Sequence, residues 1–226
     1  MSYVDFVYFA DLAGVAVFAT SGALAAQGKR LDIFGVVILG IVTALGGGTL
    51  RDIVLDAHPL LWIANPLYLW VAILSSVAAF ILSRYTRYPR RMLLLLDALG
   101  LSLFAILGAQ KAMAFGMPDT IAVVMGMVTG VAGGMIRDIL TGQVPLILQW
   151  NGEMYASCAL AGALTYVMFS GIMAEPSYWL DLSAMTIVFV VRMAALVAGL
   201  RLPEFIVAGH KLESPEEARN LEKKDS

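Results

Sequence analysis

Displaced by 86 residues, the chain falls into register with itself without a gap. Asp11 meets Asp97, Gly14 meets Gly100, Phe18 meets Phe104 and Gly22 meets Gly108. Further on, Gly40 meets Gly126, Thr43 meets Thr129, Gly47 and Gly48 meet Gly133 and Gly134, and Arg51-Asp52 meets Arg137-Asp138. Pro59 and Asn65 close the match on Pro145 and Asn151. A self-match at one fixed period means two copies of a single structural unit. Each copy holds three apolar runs of about 20 residues, the length that crosses a bilayer. Three is odd, so the second copy enters the membrane from the opposite face. The copies are therefore inverted about a pseudo-two-fold axis in the membrane plane, an arrangement that places shared sites near the midplane.

Composition agrees with a membrane setting. Of 226 residues, 60% are hydrophobic and 14% charged, against about 25% charged in average soluble chains. The expected fold is an all-α integral membrane protein with seven spans: Val4 to Ala26, Phe34 to Leu55, Leu67 to Leu82, Met92 to Ala114, Thr120 to Thr141, Met154 to Met173 and Leu182 to Leu200. Residues 1–200 form one transmembrane domain, with repeat 1 over about 4–82, repeat 2 over about 92–173 and a seventh helix over about 182–200. The polar stretch 203–226 reads as a disordered tail. The first span is not read as a signal peptide, because Asp5 and Asp11 flank it and a basic n-region is missing. With seven spans, Lys29, Arg30, Arg84, Arg87, Arg90, Arg91 and Arg201 fall on one side and Lys111 alone on the other. The positive-inside rule then puts the chain in the cell (inner) membrane with its N-terminus outside and its C-terminus cytoplasmic.

Charges within apolar spans mark the candidate site, since a central arginine costs at least about 2.5 kcal/mol on insertion scales. Arg51 and Arg137 each follow a glycine cluster, Gly46-Gly47-Gly48 and Gly133-Gly134. By helical depth, Arg51 matches Asp11 and Arg137 matches Asp97, which predicts two symmetry-related ion pairs. These pairs either lock helices together or take part in permeation. Asp52 and Asp138 point about 100° from their arginine neighbours along a helix and either line a route or cap the segment. Arg192, in the seventh span, has no repeat partner. The glycines admit two readings as well. One is a kinked, cavity-lining helix whose broken ends offer carbonyls and amides to ions; the other is close helix packing along stripes such as Gly40, Ala44 and Gly48 or Gly126, Gly130 and Gly134.

The doubled Gly-Gly-x-x-Arg-Asp segment, the two three-helix repeats and the seventh helix resemble the prokaryotic members of the trimeric intracellular cation (TRIC) channel family, over about Val4 to Leu200. The resemblance implies a homotrimer with one pore inside each protomer, conducting potassium and sodium. It also implies that the second and fifth spans kink at Gly46, Gly47 and Gly48 and at Gly133 and Gly134. Ala132 and Met135 depart from the first copy's pattern of glycine and threonine. The Lys-Glu-Val run that animal members associate with lipid regulation is missing. Related bacterial proteins with the same repeat have been labelled glycine transporters, so a secondary transporter for glycine or another small solute is the alternative to a channel. A packing scaffold without transport is the third reading.

No enzyme, cofactor or metal site is expected. The sequence lacks a nucleophile with a plausible base, metal-spaced His or Cys sets, and a phosphate loop followed by lysine. Cys158 reads as a buried packing residue, His58 and His210 as solvated or packing residues. Trp62, Tyr68, Trp70, Trp150, Tyr178 and Trp179 read as interface anchors, and Arg84 to Arg91 as a basic loop that faces lipid headgroups. A net charge of −2 excludes nucleic acid as a partner and leaves membrane lipids, ions and further copies of the chain.

Overall fold

The computed structural model describes residues 2–85, 89–149, 154–172 and 177–199. Arg87, Trp150, Asn151, Arg201, His210 and the 203–226 tail, on which expectations were stated, lie outside the described residues. The described chain is helical: α1 (Tyr3–Ala25), α2 (Ile33–Val54), a short α3 (Leu61–Ala64), α4 (Leu67–Ser83), α5 (Arg90–Ala114), α6 (Asp119–Leu140), α7 (Ala156–Ser170) and α8 (Tyr178–Ala198), with a 3-10 turn at Leu146–Leu148. Helix boundaries follow local chemistry. Ser2 and Asp5 form a reciprocal capping box at the start of α1. The Asp32 carboxylate accepts the Gly35 N–H at 2.7 Å and starts α2. Pro89 and Pro118 precede α5 and α6, and Gly199, at φ 62°, ends α8 in the left-handed conformation that glycine adopts without strain.

The repeat register survives in three dimensions. α2 and α6 start and stop at positions offset by 86 residues, and the short α3 has its counterpart in the 3-10 turn. Both are apolar in sequence but far shorter than a membrane span, and neither is among the seven expected spans. Among the described residues five helices, α1, α2, α5, α6 and α8, are long and apolar enough to cross a membrane. α4 and α7, in the third and sixth positions, have 17 and 15 residues. At ~1.5 Å per residue they fall short of the ~30 Å hydrocarbon core, so the sixth span is shorter than predicted.

Helices α1, α2 and α4 pack as one unit and α5, α6 and α7 as its inverted copy; the units meet through α1 against α5 and α2 against α6, and α8 packs on α5 and α7. The central contacts are reciprocal. Phe18 and Phe104 stack with ring centroids 5.4 Å apart and planes 15° from parallel. Each ring lies over the other helix's glycine, Phe18 on Gly100 and Phe104 on Gly14. Where α2 crosses α6, Gly47 abuts the Thr129 carbonyl and Gly133 abuts the Thr43 carbonyl, so closely that neither site has room for a Cβ. Close packing therefore explains this glycine pair. Helical structure runs unbroken through Gly46, Gly47 and Gly48 and through Gly133 and Gly134, which corrects the expectation of broken helix ends there. The carbonyls and amides of both clusters stay engaged within their helices.

Candidate functional site

The two repeat-related arginines stand on opposite sides of the Phe18–Phe104 pair. Along α1, Asp11 precedes Phe18 and Ser21 follows it, about 15 Å apart at helical rise. Arg137, on α6, is fully buried. Its Nη1 donates to Asp97 Oδ1 at 2.8 Å and to the Ser21 hydroxyl at 2.6 Å. Its Nε donates to Asp138 Oδ1 at 2.9 Å. The ion pair expected by depth between Arg137 and Asp97 is formed. Gly134 makes it possible, since a Cβ there would stand 2.8 Å from Asp97 Oδ1. Asp138 uses its other oxygen to accept the Leu146 N–H at 3.0 Å, which fastens the 3-10 turn to α6.

At the other arginine the arrangement changes. Arg51 Nε donates to Asp52 Oδ1 at 2.8 Å. Lys111, from the end of α5, reaches the same oxygen at 2.8 Å. Asp52 Oδ2 accepts the Leu61 N–H at 3.3 Å, holding α3 as Asp138 holds its counterpart. Among the described residues no ion pair within 4.0 Å joins Asp11 to Arg51, which corrects the second predicted pair. The Tyr68 hydroxyl stands beside the Asp11 carboxylate instead. The adjacent aspartates in both copies are direct partners of their arginines and caps of the following segment. That corrects the reading in which Asp52 and Asp138 point away.

Asp11, Arg51, Lys111, Gln110 and Tyr68 line a cavity of 370 Å³ at the end of the bundle where α1 begins. A pocket of 20 Å³ continues inward past Val15, Ala44 and Gly48 to Phe104. Gly48 faces it with open space beside Arg51. The two pockets share Asp11, Arg51, Leu61 and Tyr68, and the smaller ends on Phe104 of the aromatic pair; beyond that pair Arg137 and Asp97 are buried.

Arg192 lies 1% exposed on α8, donates to the Met154 carbonyl at 2.8 Å and sits 4.9 Å from the Tyr155 ring centroid. The Tyr155 hydroxyl, like Asp97 Oδ1, lies against Gly134, so α8 reaches the neighbourhood of the Arg137 cluster through an aromatic side chain that sequence reasoning did not single out. Lys111, Ser21, Gln110 and Asp181 also escaped it as site residues. Lys111 had one signal, as the only basic residue on its side of the topology.

The fold and its paired buried arginines define a class: integral membrane proteins built from inverted three-helix repeats with the architecture of TRIC channels. The TRIC orthologue of Rhodobacter sphaeroides superposes with a TM-score of 0.81 at 39% identity, covering 86% of this chain and 98% of that one. A second TRIC cation channel structure gives 0.79 at 33% identity over 93% and 100% of the two chains. The family described as Glycine transporter matches twice, over residues 8–84 and 94–171, one match per repeat. The UPF0126 inner membrane protein YadS of Escherichia coli is 41% identical over 200 residues, 88% of this chain and 96% of that protein. The chain belongs to this family.

Proposed function

We propose that the protein is a monovalent-cation channel, conducting potassium and sodium, with a pore inside each protomer of a homotrimer. The observation that carries the reading is the cavity holding Asp11, Arg51 and Lys111, with a smaller pocket beside it that ends on Phe104 of the stacked Phe18–Phe104 pair. Two structures at 33% and 39% identity are of TRIC channels, one named trimeric and both named for cations. In this reading α2 and α6 form the midplane walls. The Gly47 and Gly133 contacts let them slide where backbone meets backbone, Gly48 leaves open space beside Arg51, and Gly46 and Gly134 admit Ile136 and Asp97 close to the helix backbones. Phe18 and Phe104 are the constriction, Arg51 and Asp52 line the open half, and Arg137, Asp138, Asp97 and Arg192 lock the closed half. The N-terminus lies outside and the tail lies in the cytoplasm, as the basic residues direct.

Purified full-length protein in a planar bilayer tests this. Discrete potassium currents without a co-substrate are expected, with larger unitary currents from Phe104→Ala, which empties the constriction. Saturable solute uptake at low turnover with no current steps would overturn the channel. That outcome belongs to the second reading, a carrier for glycine, which the family's description favours. The cavity supports it too, since it presents a carboxylate and two cationic side chains, the complement of a zwitterion.

A further inference from the structure

Asp181 is the buried charge that neither the arginine clusters nor the constriction uses. It sits in the first turn of α8 and is 1% exposed. Among the described residues it makes no ion pair within 4.0 Å, and its Oδ1 accepts no hydrogen bond. Its Oδ2 accepts from Gln110 Nε2 at 3.3 Å. The same Gln110 nitrogen contacts the Tyr3 hydroxyl, and the hydroxyls of Tyr3 and Tyr166 stand beside the carboxylate. Tyr3 and Gln110 are also wall residues of the 370 Å³ cavity. Asp181 is therefore one side chain behind the cavity surface, at the same end of the bundle as Asp11 and Lys111.

Charge balance gives this position its meaning. Arg51 and Lys111 are offset by Asp11 in the cavity lining and by Asp52 behind it, so these four groups together are formally neutral. Asp181 adds one negative charge at its wall. The N-terminal turn of α8 favours that charge through the helix dipole, while removal from water disfavours it unless a counter-charge arrives. Lys111 is committed to Asp52 at 2.8 Å.

We infer that Asp181 anchors a monovalent-cation site in the cavity wall, its free Oδ1 completed by the hydroxyl oxygens of Tyr3 and Tyr166, while the Gln110 amide N–H holds Oδ2 in place. One carboxylate with neutral oxygens suits a singly charged ion. Divalent ions call for more anionic ligands or retained water, and no group of three His, Cys, Asp or Glu residues lies together among the described residues. The inference rests on the cavity being a cation route, but binding is measured without conduction, so the two fail separately.

The test is thermal unfolding of the full-length protein in detergent, titrated with potassium chloride against N-methyl-glucamine chloride at constant ionic strength. A ligand that binds only the folded state raises the melting temperature by mass action. Potassium-specific stabilisation is expected in the wild type. It disappears in Asp181→Asn, and in Tyr166→Phe its apparent Kd rises by roughly tenfold, about the loss of one ligand hydrogen-bonding group. Tyr166→Phe keeps the ring packing and so serves if Asp181→Asn fails to fold. Equal stabilisation by both salts in the wild type overturns the site, as does undiminished potassium stabilisation in Asp181→Asn or in Tyr166→Phe. An infrared protonated-carboxyl band present in potassium and lost in Asp181→Asn also overturns it, because a proton then occupies the carboxylate. Normal single-channel currents from a protein without potassium-specific stabilisation would sink the site and leave the channel standing.

Discussion

Arg51 and Arg137 occupy the same register of the same motif and are both buried, yet Arg51 borders a 370 Å³ cavity while Arg137 is held by Asp97, Ser21 and Asp138. The residues around them explain why. At Arg137, Ser21 of repeat 1 supplies a hydroxyl; at Arg51 the matching residue, from repeat 2, is Leu107, which lines the cavity and donates nothing. At Arg51, Lys111 of repeat 2 competes for Asp52; its counterpart at Arg137, from repeat 1, is Ala25, which leaves Asp138 to Arg137. Both copies place a tyrosine hydroxyl beside the more distant aspartate, Tyr68 at Asp11 and Tyr155 at Asp97. The copies share a scaffold and a cap, and they differ in how many donors and cations each carboxylate must satisfy. A lock forms where the donors suffice, and an open wall where they are shared.

The largest effect that can break this comparison is at Asp97. Asp97→Asn leaves the fully buried Arg137 with Asp138 as its remaining carboxylate, and removing one partner of a buried pair costs about 3–5 kcal/mol. The matching Asp11→Asn removes a half-buried carboxylate that has no direct guanidinium contact, and an effect below about 1 kcal/mol is expected. Melting temperatures of the two variants in one detergent measure the difference. Equal losses would show that Asp11 and Arg51 are coupled after all and that the two halves are locks of equal strength.

The glycines come next, and here the halves should agree. Gly47→Ala and Gly133→Ala each drive a methyl into a backbone carbonyl across the α2–α6 crossing, an overpacking that costs about 1–3 kcal/mol. Gly48→Ala meets open space beside Arg51, so stability changes little and any loss of current reports on the pore. If Gly133→Ala left stability unchanged while Gly48→Ala abolished folding, the crossing would not hold the repeats together.

Much of this was legible in the sequence, for reasons that also set its limits. The 86-residue register carries the fold because a repeat duplicates apolar runs, glycines and charges together. It carried the Arg137–Asp97 pair because both residues lie on long helices whose depth follows from helical rise. It did not carry the Arg51 site, because Lys111 comes from the other repeat and its competition for Asp52 has no trace in the register. The glycine clusters were ambiguous for a different reason. A helix that bends and a helix that packs backbone to backbone both require the Cβ to be missing, and only the neighbour distinguishes them: Thr129 for Gly47, Thr43 for Gly133. Asp181 went unremarked because it lies outside the repeat, where nothing duplicates it.

The smallest expected stability effect, and the sharpest view of the open half, is at Lys111. Its side chain is 25% exposed to the cavity and it shares Asp52 Oδ1 with Arg51. Lys111→Gln therefore removes a cation from the wall without orphaning the carboxylate, which keeps Arg51 and the Leu61 N–H. A partly exposed ion pair contributes below about 1 kcal/mol, so the melting temperature should hardly move. The cavity, however, becomes one unit more negative, and opposite charge concentrates in such a recess. Unitary potassium current at low salt should rise, and the gain should shrink as ionic strength shortens the Debye length from about 30 Å at 0.01 M to 3 Å at 1 M. The sealed half offers the control. Ser21→Ala removes a neutral donor from Arg137 and changes no charge, so it should lower stability without a salt-dependent change in current. A salt-dependent gain from Ser21→Ala, with none from Lys111→Gln, would reverse the roles of the two halves and place the open wall at Arg137.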